Sequence, residues 1–317
     1  MSVIIGCGLA GLIAANTVFQ DAMIFEAQKE NELKKHKGIL RFRSSKIGDA
    51  LGIPCKKVTV HKNIYSEGKL YDTCSIRLAN LYSQKVLGGK ISDRSIWDLK
   101  TVERWIAPCD LQERLIERCY SRIYFNSPVD NFKQFENNTI ISTMPLHVNC
   151  KLANINLDFK FKMFKIMVLE FEIPDCNVYQ TIYFPDEFLE FPNYEEKSQI
   201  YRASITGNKM IIEAKALTAP SWTQIEIVLK AFGLDVEEIL NLQIIEKGFE
   251  ESTQRKIENI NDNVRRALIG KLTDDCNVFS LGRMSIWKNI LLDDVMQDIY
   301  QIKKMIESDY YSMRLLR

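Results

Sequence analysis

Near its start the chain reads Val3-Ile4-Ile5-Gly6-Cys7-Gly8-Leu9-Ala10-Gly11-Leu12, and this stretch decides the fold. The short β-branched run predicts a strand that is buried on both faces. The glycines after it predict a tight turn, and the alanine-rich residues that follow predict a helix. A second apolar run, Ala22-Met23-Ile24-Phe25, ends at Glu26, which falls 20 positions after Gly6. Strand, glycine turn, helix, strand and acid in this order are typical of a dinucleotide-binding βαβ unit.

Each residue of the glycine motif has a physical task in such a unit. Gly6 permits the tight turn, Gly8 lets a pyrophosphate approach bare backbone, and Gly11 lets the helix pack closely on the strand. Leu9 and Ala10 begin the helix, whose unpaired N–H groups and positive dipole end face the phosphates. Glu26 would accept hydrogen bonds from the adenosine ribose hydroxyls, and its charge disfavours the 2′-phosphate of NADP. A glycine turn that binds nothing is the alternative.

Two arginines, Arg41 and Arg43, follow this unit and share one face of an extended segment. Such a pair is able to clamp a pyrophosphate or a substrate anion through bidentate hydrogen bonds. A solvated basic edge explains the pair equally well, so both interpretations stay open.

The composition is that of an ordinary globular protein. Hydrophobic residues make up 46% of the 317 residues and charged residues 26%, which excludes a disordered or fibrous chain. The 42 Lys+Arg and 41 Asp+Glu give a net charge of +1. The chain therefore has no large excess of positive charge, which a dedicated duplex-DNA binder usually carries. The eight cysteines form no C-x-x-C, and no apolar stretch is long enough to span a bilayer. We therefore expect a cytoplasmic protein with reduced thiols, no metal site and no membrane contact.

The patterns along the chain predict an α/β protein with two kinds of sheet. Alternating strand-like runs at Lys165–Ile173, Val178–Phe184 and Met210–Glu213 predict an antiparallel sheet that forms a second, substrate-binding domain. Helices are predicted over Leu217–Leu242 and from about Leu291 to Ser308. We expect a Rossmann-type domain over residues 1–150 with an insertion at about 45–105, the antiparallel domain over 151–250, and a return to the first domain over 251–317.

Three separated segments carry a resemblance to a known family. They are Ile4 to Leu12 with Glu26, then Ile140-Ile141-Ser142-Thr143-Met144-Pro145-Leu146, and finally Phe279-Ser280-Leu281-Gly282-Arg283 followed by Trp287 and Asp293-Asp294. In this order they resemble the FAD-binding oxidoreductases of the amine-oxidase, protoporphyrinogen-oxidase and UDP-galactopyranose-mutase type. The second segment is similar to that family's strand ending in Thr-x-Pro, which makes Thr143 a cofactor-site residue. The third is similar to the family's C-terminal flavin motif.

The resemblance implies FAD as the cofactor and assigns further residues to it. Val129, expected in a strand after Ser127-Pro128, would pair with the adenine edge. Gly282 and Arg283 would lie beside the pyrophosphate and the ribityl chain. The helix starting near Leu291 would aim its N-terminus at the flavin pyrimidine ring, where its dipole stabilises negative charge on a reduced flavin. Arg41 or Arg43 matches a phosphate-binding arginine, although the family's paired glycines before that arginine are missing.

The activity that the resemblance implies is that of an oxidase. No second G-x-G-x-x-G follows a strand, so we expect no separate NAD(P) domain. Electrons would then come from an amine-bearing substrate as hydride and leave to molecular oxygen. A narrower version resembles phage flavoproteins that tailor modified thymidines. The substrate would then be an amino-acid-modified thymidine in DNA, and a basic strip would track the phosphates. That strip consists of Lys34, Lys35, Lys37, Arg41, Arg43 and Lys46.

Two other interpretations stay open. A non-redox flavoenzyme of the sugar-nucleotide mutase type would hold a substrate pyrophosphate with Tyr201-Arg202 and with Arg255 or Arg265. A flavin-fold protein that only binds a ligand is the other. No catalytic residue is assigned by the sequence. The tyrosines of the predicted antiparallel sheet would either face the flavin ring or pack within the sheet, and both interpretations stay open. They are Tyr179, Tyr183 and Tyr201. The three histidines, His36, His61 and His147, are expected to be structural or exposed, and Cys7 to be a small apolar filler.

Overall fold

The computed structural model describes residues 1–33, 36, 39–87, 96, 98–173, 177–186, 188–191, 194–215, 220–234 and 255–308. The chain divides into two compact units. The first consists of Met1–Lys56, Trp105–Lys162 and Asn259–Arg317, and the second of Lys57–Arg104 and Met163–Glu258.

The helices and strands of the described residues have the following bounds. The helices are α1 (Leu9–Thr17), α2 (Lys46–Leu51), α3 (Ile76–Leu87), α4 (Leu111–Cys119), α5 (Leu146–Leu152), α6 (Trp222–Ala231), α7 (Asp262–Cys276) and α8 (Leu292–Glu307). The strands are β1 (Ser2–Ile5), β2 (Met23–Phe25), β3 (Arg41–Phe42), β4 (Lys56–Ser66), β5 (Lys69–Tyr71), β6 (Val102–Ile106), β7 (Ile123–Tyr124), β8 (Thr139–Ser142), β9 (Met163–Glu172), β10 (Tyr179–Tyr183), β11 (Phe188–Phe191), β12 (Tyr194–Lys197), β13 (Ile200–Thr206), β14 (Lys209–Lys215), β15 (Arg255–Ile257) and β16 (Val278–Ser280).

A parallel sheet forms the centre of the first unit. Its strand order is β16-β8-β1-β2-β7, and every neighbouring pair is parallel. The β1 residues Val3, Ile4 and Ile5 are all buried, as expected for a strand covered on both faces. Helix α1 buries Leu12 and Ile13 in the same core cluster as Ile4. The predicted strand, turn, helix and strand are therefore confirmed.

The second unit contains the antiparallel sheet that the alternating runs predicted. Strands β15, β9, β14, β13 and β10 follow one another with antiparallel pairing, and β4 then lies parallel to β10. Along β14 buried residues alternate with half-buried ones, which is the period of a strand. One core cluster joins this sheet to α6, and another joins it to α3.

One predicted helix begins later than expected. The helix predicted over Leu217–Leu242 is α6, which begins after the N-cap Ser221 and ends before Gly233, whose φ is +71°. Ser221 Oγ accepts a hydrogen bond from Gln224 N, which starts the helix later than its apolar pattern suggests. Residues 217–219 and 235–242 of the predicted range lie outside the described residues.

The cysteines are free thiols throughout the described ranges. Within those ranges no group of three or more His, Cys, Asp or Glu side chains is arranged to hold a metal ion. Nor does any helix of the described residues combine the length and apolar character needed to cross a membrane.

Candidate functional site

The glycine turn between β1 and α1 is packed too tightly for any other residue at two of its positions. Gly6 has a φ of +101°, and a Cβ there would lie 2.2 Å from Thr143 Oγ1. A Cβ on Gly11 would lie 2.2 Å from the carbonyl oxygen of Gly6. Thr143 is fixed in turn, because its N–H and its Oγ1 both donate to the Ile5 carbonyl at 2.9 Å. These contacts explain both glycines sterically and bring Thr143, from the end of β8, against the turn.

Gly8 is different, because it faces open space. It is the N-cap of α1, it is exposed, and a Cβ built on it would meet nothing within 4 Å. No side chain caps this helix and no acidic residue lies in its first turn. The first N–H groups of a helix have no partner within the helix, and its N-terminus carries about half a positive charge. The start of α1 is therefore a site where an anion can approach backbone N–H groups directly.

Glu26 lies directly beside this turn. The residue is only 9% exposed, and Oε2 accepts from Cys7 N at 2.7 Å while Oε1 accepts from Gln28 N at 2.9 Å. Because a carboxylate offers about four lone-pair positions, two remain for a ligand. The sequence placed Glu26 near the motif by spacing alone; it gave no sign that the carboxylate also holds the turn through Cys7.

The Cys7 thiol is poorly suited to nucleophilic chemistry. Burial, together with the nearby Glu26 and Cys119, raises the pKa of the Cys7 thiol to about 12. The thiol therefore stays protonated at neutral pH, and a protonated thiol is a poor nucleophile. This agrees with its expected role as a small apolar filler.

Gly282 closes another side of the same region. It follows β16 with a φ of +85°, and a Cβ there would lie 2.8 Å from the Cβ of Ala10 in the first turn of α1. The half-buried Arg283 comes next, and its carbonyl accepts from Lys288 N at 3.2 Å. The ends of β1, β8 and β16 thus meet around the start of α1. In open parallel sheets ligands bind in this kind of crevice, outside the carboxyl ends of the strands.

The structure gives the surroundings of three predicted site residues, one of which differs from the sequence expectation. Val129 lies in irregular chain after β7 rather than in a strand, because the segment leaves the sheet after Tyr124. Arg41 belongs to β3, which pairs antiparallel with Trp105–Ile106. Arg43 is held by acids: its N–H donates to Asp293 Oδ1 at 2.9 Å, and its guanidinium pairs with Asp294. A phosphate would have to compete with both carboxylates for Arg43.

The N-terminus of α8 is likewise engaged by the protein itself. Leu291 is its N-cap, and Leu291 N donates to Asp294 Oδ2 at 2.9 Å. Two carboxylates in the first turn, Asp293 and Asp294, oppose the positive end of the helix dipole. The expected stabilisation of negative charge by this helix is therefore weakened by its own side chains, whereas α1 has no such acids.

The arginines expected for a sugar-nucleotide mutase have partners of their own. In the second unit Arg202 donates to both carboxylate oxygens of Glu213, at 2.5 and 2.6 Å. In the first unit Arg265 is bound to Asp262 at 2.6 Å. The side chain of Arg255 is outside the described set, as are Lys34, Lys35 and Lys37 of the basic strip.

Two tyrosines of the second unit and one histidine of the first contact other aromatic rings. Tyr201 is buried, and the rings of Tyr183 and Tyr82 meet edge to face at 5.3 Å. In the first unit His147 packs edge-on against Trp287 at 5.6 Å, and burial lowers the pKa of this imidazole. His147 is thus neutral at physiological pH.

This chain matches known proteins in its structure but not in its sequence. No protein-family model matches this sequence, and no curated protein matches it. A mutant of 2-methyl-3-hydroxypyridine-5-carboxylic acid oxygenase is similar, with a TM-score of 0.54 and 11% identity over 99% of this chain and 85% of that one. The PF1083 protein from Pyrococcus furiosus has a TM-score of 0.52 and 12% identity over 98% of this chain and 99% of that one. CtdE in complex with FAD aligns with a TM-score of 0.46 and 14% identity over 95% of this chain and 81% of that one. The first two show that this chain shares their fold.

Proposed function

We propose that this protein is an FAD-dependent oxidoreductase. The observation that carries the proposal is the start of α1, where an uncapped helix N-terminus opens at Gly8 into unfilled space. The neighbouring Glu26 carboxylate keeps lone pairs for a ribose beside it. An anion site and a ribose acceptor at this spacing suit the adenosine diphosphate half of a dinucleotide.

The residues present fit such a cofactor. The N–H groups of Leu9 and Ala10 would bind the pyrophosphate, and Glu26 would accept from the adenosine ribose. Thr143 and Gly282 would form the adjoining walls, because each already contacts the glycine motif. The neutral Cys7 thiol adds no charge near the phosphates. When bound, FAD supplies the hydride chemistry, and the protein supplies orientation and electrostatics.

We extend the proposal to the reaction partners. The sequence has no second G-x-G-x-x-G for a nicotinamide dinucleotide, which favours a substrate that donates hydride directly. Molecular oxygen is the proposed acceptor, and the shared fold with an oxygenase supports it. An amine-bearing substrate, including an amino-acid-modified thymidine in DNA, stays a prediction from the sequence.

A reconstitution experiment tests this function. Purified protein stripped of small molecules is mixed with FAD, and bound flavin is measured by absorbance after gel filtration. We expect yellow protein with stoichiometric FAD, whose absorbance is bleached under anaerobic conditions by an amine and restored by air. Colourless protein at every FAD concentration would contradict the proposal. Bleaching by none of the amines, with saturable binding of a uridine diphosphate sugar, would instead favour the mutase alternative.

A further inference from the structure

We propose that Asn149 is a positioning residue that fixes the cofactor-binding crevice by tying two of its walls together. This inference rests on the proposed function. Asn149 lies on α5 and is fully buried. Its Oδ1 accepts from Ser142 Oγ at 2.8 Å, and its Nδ2 donates to the Met144 carbonyl at 3.3 Å and to Ser285 Oγ at 3.1 Å. Both N–H donors and one oxygen lone pair of this amide are thus used inside the first unit.

The first of these walls carries Thr143. Ser142 and Met144 flank Thr143 on either side, and Met144 N also donates to Ser142 Oγ at 3.3 Å. Thr143 in turn leaves no room for a Cβ on Gly6. A side chain that holds the residues on both sides of Thr143 therefore also sets how Thr143 meets the glycine turn.

The second wall carries Gly282. Ser285 N donates to the Gly282 carbonyl at 3.1 Å, so the Ser285 hydroxyl belongs to the turn that presents Gly282 to Ala10. A backbone bond from Leu146 N to the Met284 carbonyl, 2.9 Å long, joins α5 to the same turn. The Asn149 amide thus links the end of β8, which lies against Gly6, to the turn after β16, which lies against Ala10 at the start of α1.

Losing the Asn149 amide is expected to change the shape of the crevice. Truncation at Asn149 removes the acceptor of the Ser142 hydroxyl and the donor that Asn149 Nδ2 offers to the Met144 carbonyl and to Ser285 Oγ. In a buried setting such lost hydrogen bonds are costly. The walls are already in contact with Gly6 and Ala10, so small shifts change the space open to a ligand. The sequence did not single out Asn149, because a polar residue in a short helix commonly faces solvent.

The test is FAD binding by folded protein, measured by quenching of flavin fluorescence at fixed pH. Asn149→Ala is expected to raise the dissociation constant of FAD roughly ten- to a hundredfold, because walls that are no longer tied together present the crevice in a less favourable geometry. The control is Asn131→Ala. Its side chain accepts from Lys133 N at 2.9 Å at the start of a 3₁₀ turn in the same unit. That variant is expected to bind FAD like the wild type.

Asn149→Asp adds a second measurement, the pH dependence of FAD affinity, which would not change if Asn149 only stabilised the fold. The aspartate keeps the acceptor for Ser142 Oγ but loses both donors when ionised, and burial raises the pKa of such a carboxyl. FAD affinity of this variant is therefore expected to improve as the pH falls, with no such change in Asn149→Ala or the wild type. If Asn149→Ala does not fold, Ser285→Ala replaces it, with a weaker loss expected.

The outcomes separate the two proposals. Folded Asn149→Ala or Ser285→Ala with wild-type affinity for FAD would overturn the role of Asn149 and leave the proposed function intact. Wild-type protein that binds no FAD would overturn both.

Discussion

Replacing Gly8 by alanine separates ligand binding from folding at the start of α1. The φ of −76° at Gly8 suits alanine, and the new Cβ meets no protein atom within 4 Å. The expected loss of folding stability is therefore about 1 kcal/mol or less, the difference between glycine and alanine at an N-cap. The methyl group does, however, occupy the space through which a phosphate reaches the backbone. Loss of one charge-assisted hydrogen bond, about 1.5–3 kcal/mol, weakens FAD binding roughly ten- to a hundredfold.

The assay for Gly8→Ala combines an FAD titration with urea unfolding of the cofactor-free protein. Gly270→Ala is the matched control, because Gly270 lies within α7 and a Cβ there also meets nothing within 4 Å. It should gain about 0.5–1 kcal/mol of stability from higher helix propensity and keep wild-type affinity. Wild-type FAD affinity in Gly8→Ala would refute the assignment of this open space to the pyrophosphate.

Three further predictions concern the same turn. Gly11→Ala places a Cβ 2.2 Å from Gly6 O, so urea unfolding should show a loss of about 1–3 kcal/mol; unchanged stability would contradict that packing. Glu26→Ala strips the acceptor from Cys7 N and Gln28 N and should weaken FAD binding by about one to three powers of ten, with a smaller loss in Glu26→Gln; full flavin occupancy would argue against the ribose site. The pKa of Cys7 rises on folding from 9.0 to about 12, so its contribution to stability is complete below pH 9 and is lost as the pH rises toward 12. The free energy of unfolding of Cys7→Ala should therefore decline less steeply above pH 9 than that of the wild type. Equal slopes would contradict the raised pKa of the Cys7 thiol.

The parts of the fold that the sequence predicted are those with local signals. The β1 strand, the glycine turn, α1 and β2 lie within 25 residues, and each has its own pattern of apolar, glycine or helix-forming residues. The parallel pairing of β4 with β10 joins Ile64 to Tyr183, and no local pattern indicates that partner. The helix predicted to begin at Leu217 begins at Trp222, because capping rather than periodicity sets its start.

The site residues that the sequence predicted are likewise those with a local pattern. Gly6, Gly11 and Glu26 were found because the motif fixes their spacing, and the structure gives steric or hydrogen-bonding reasons for each. The pairing of Arg43 with Asp293 was not predicted, because the two residues lie 250 positions apart, beyond any spacing rule. Asn149 was missed for a related reason, since its bond to Ser285 spans 136 positions.

A crystal structure of the protein reconstituted with FAD tests the central claim most directly. We expect pyrophosphate oxygens within hydrogen-bond distance of the backbone N–H groups at the start of α1, above Gly8. We also expect the Glu26 carboxylate to accept from the ribose while keeping its bond to Cys7 N. FAD bound elsewhere, or a Glu26 carboxylate that bonds only to Cys7 and Gln28 with the ribose out of reach, would contradict the proposed cofactor site.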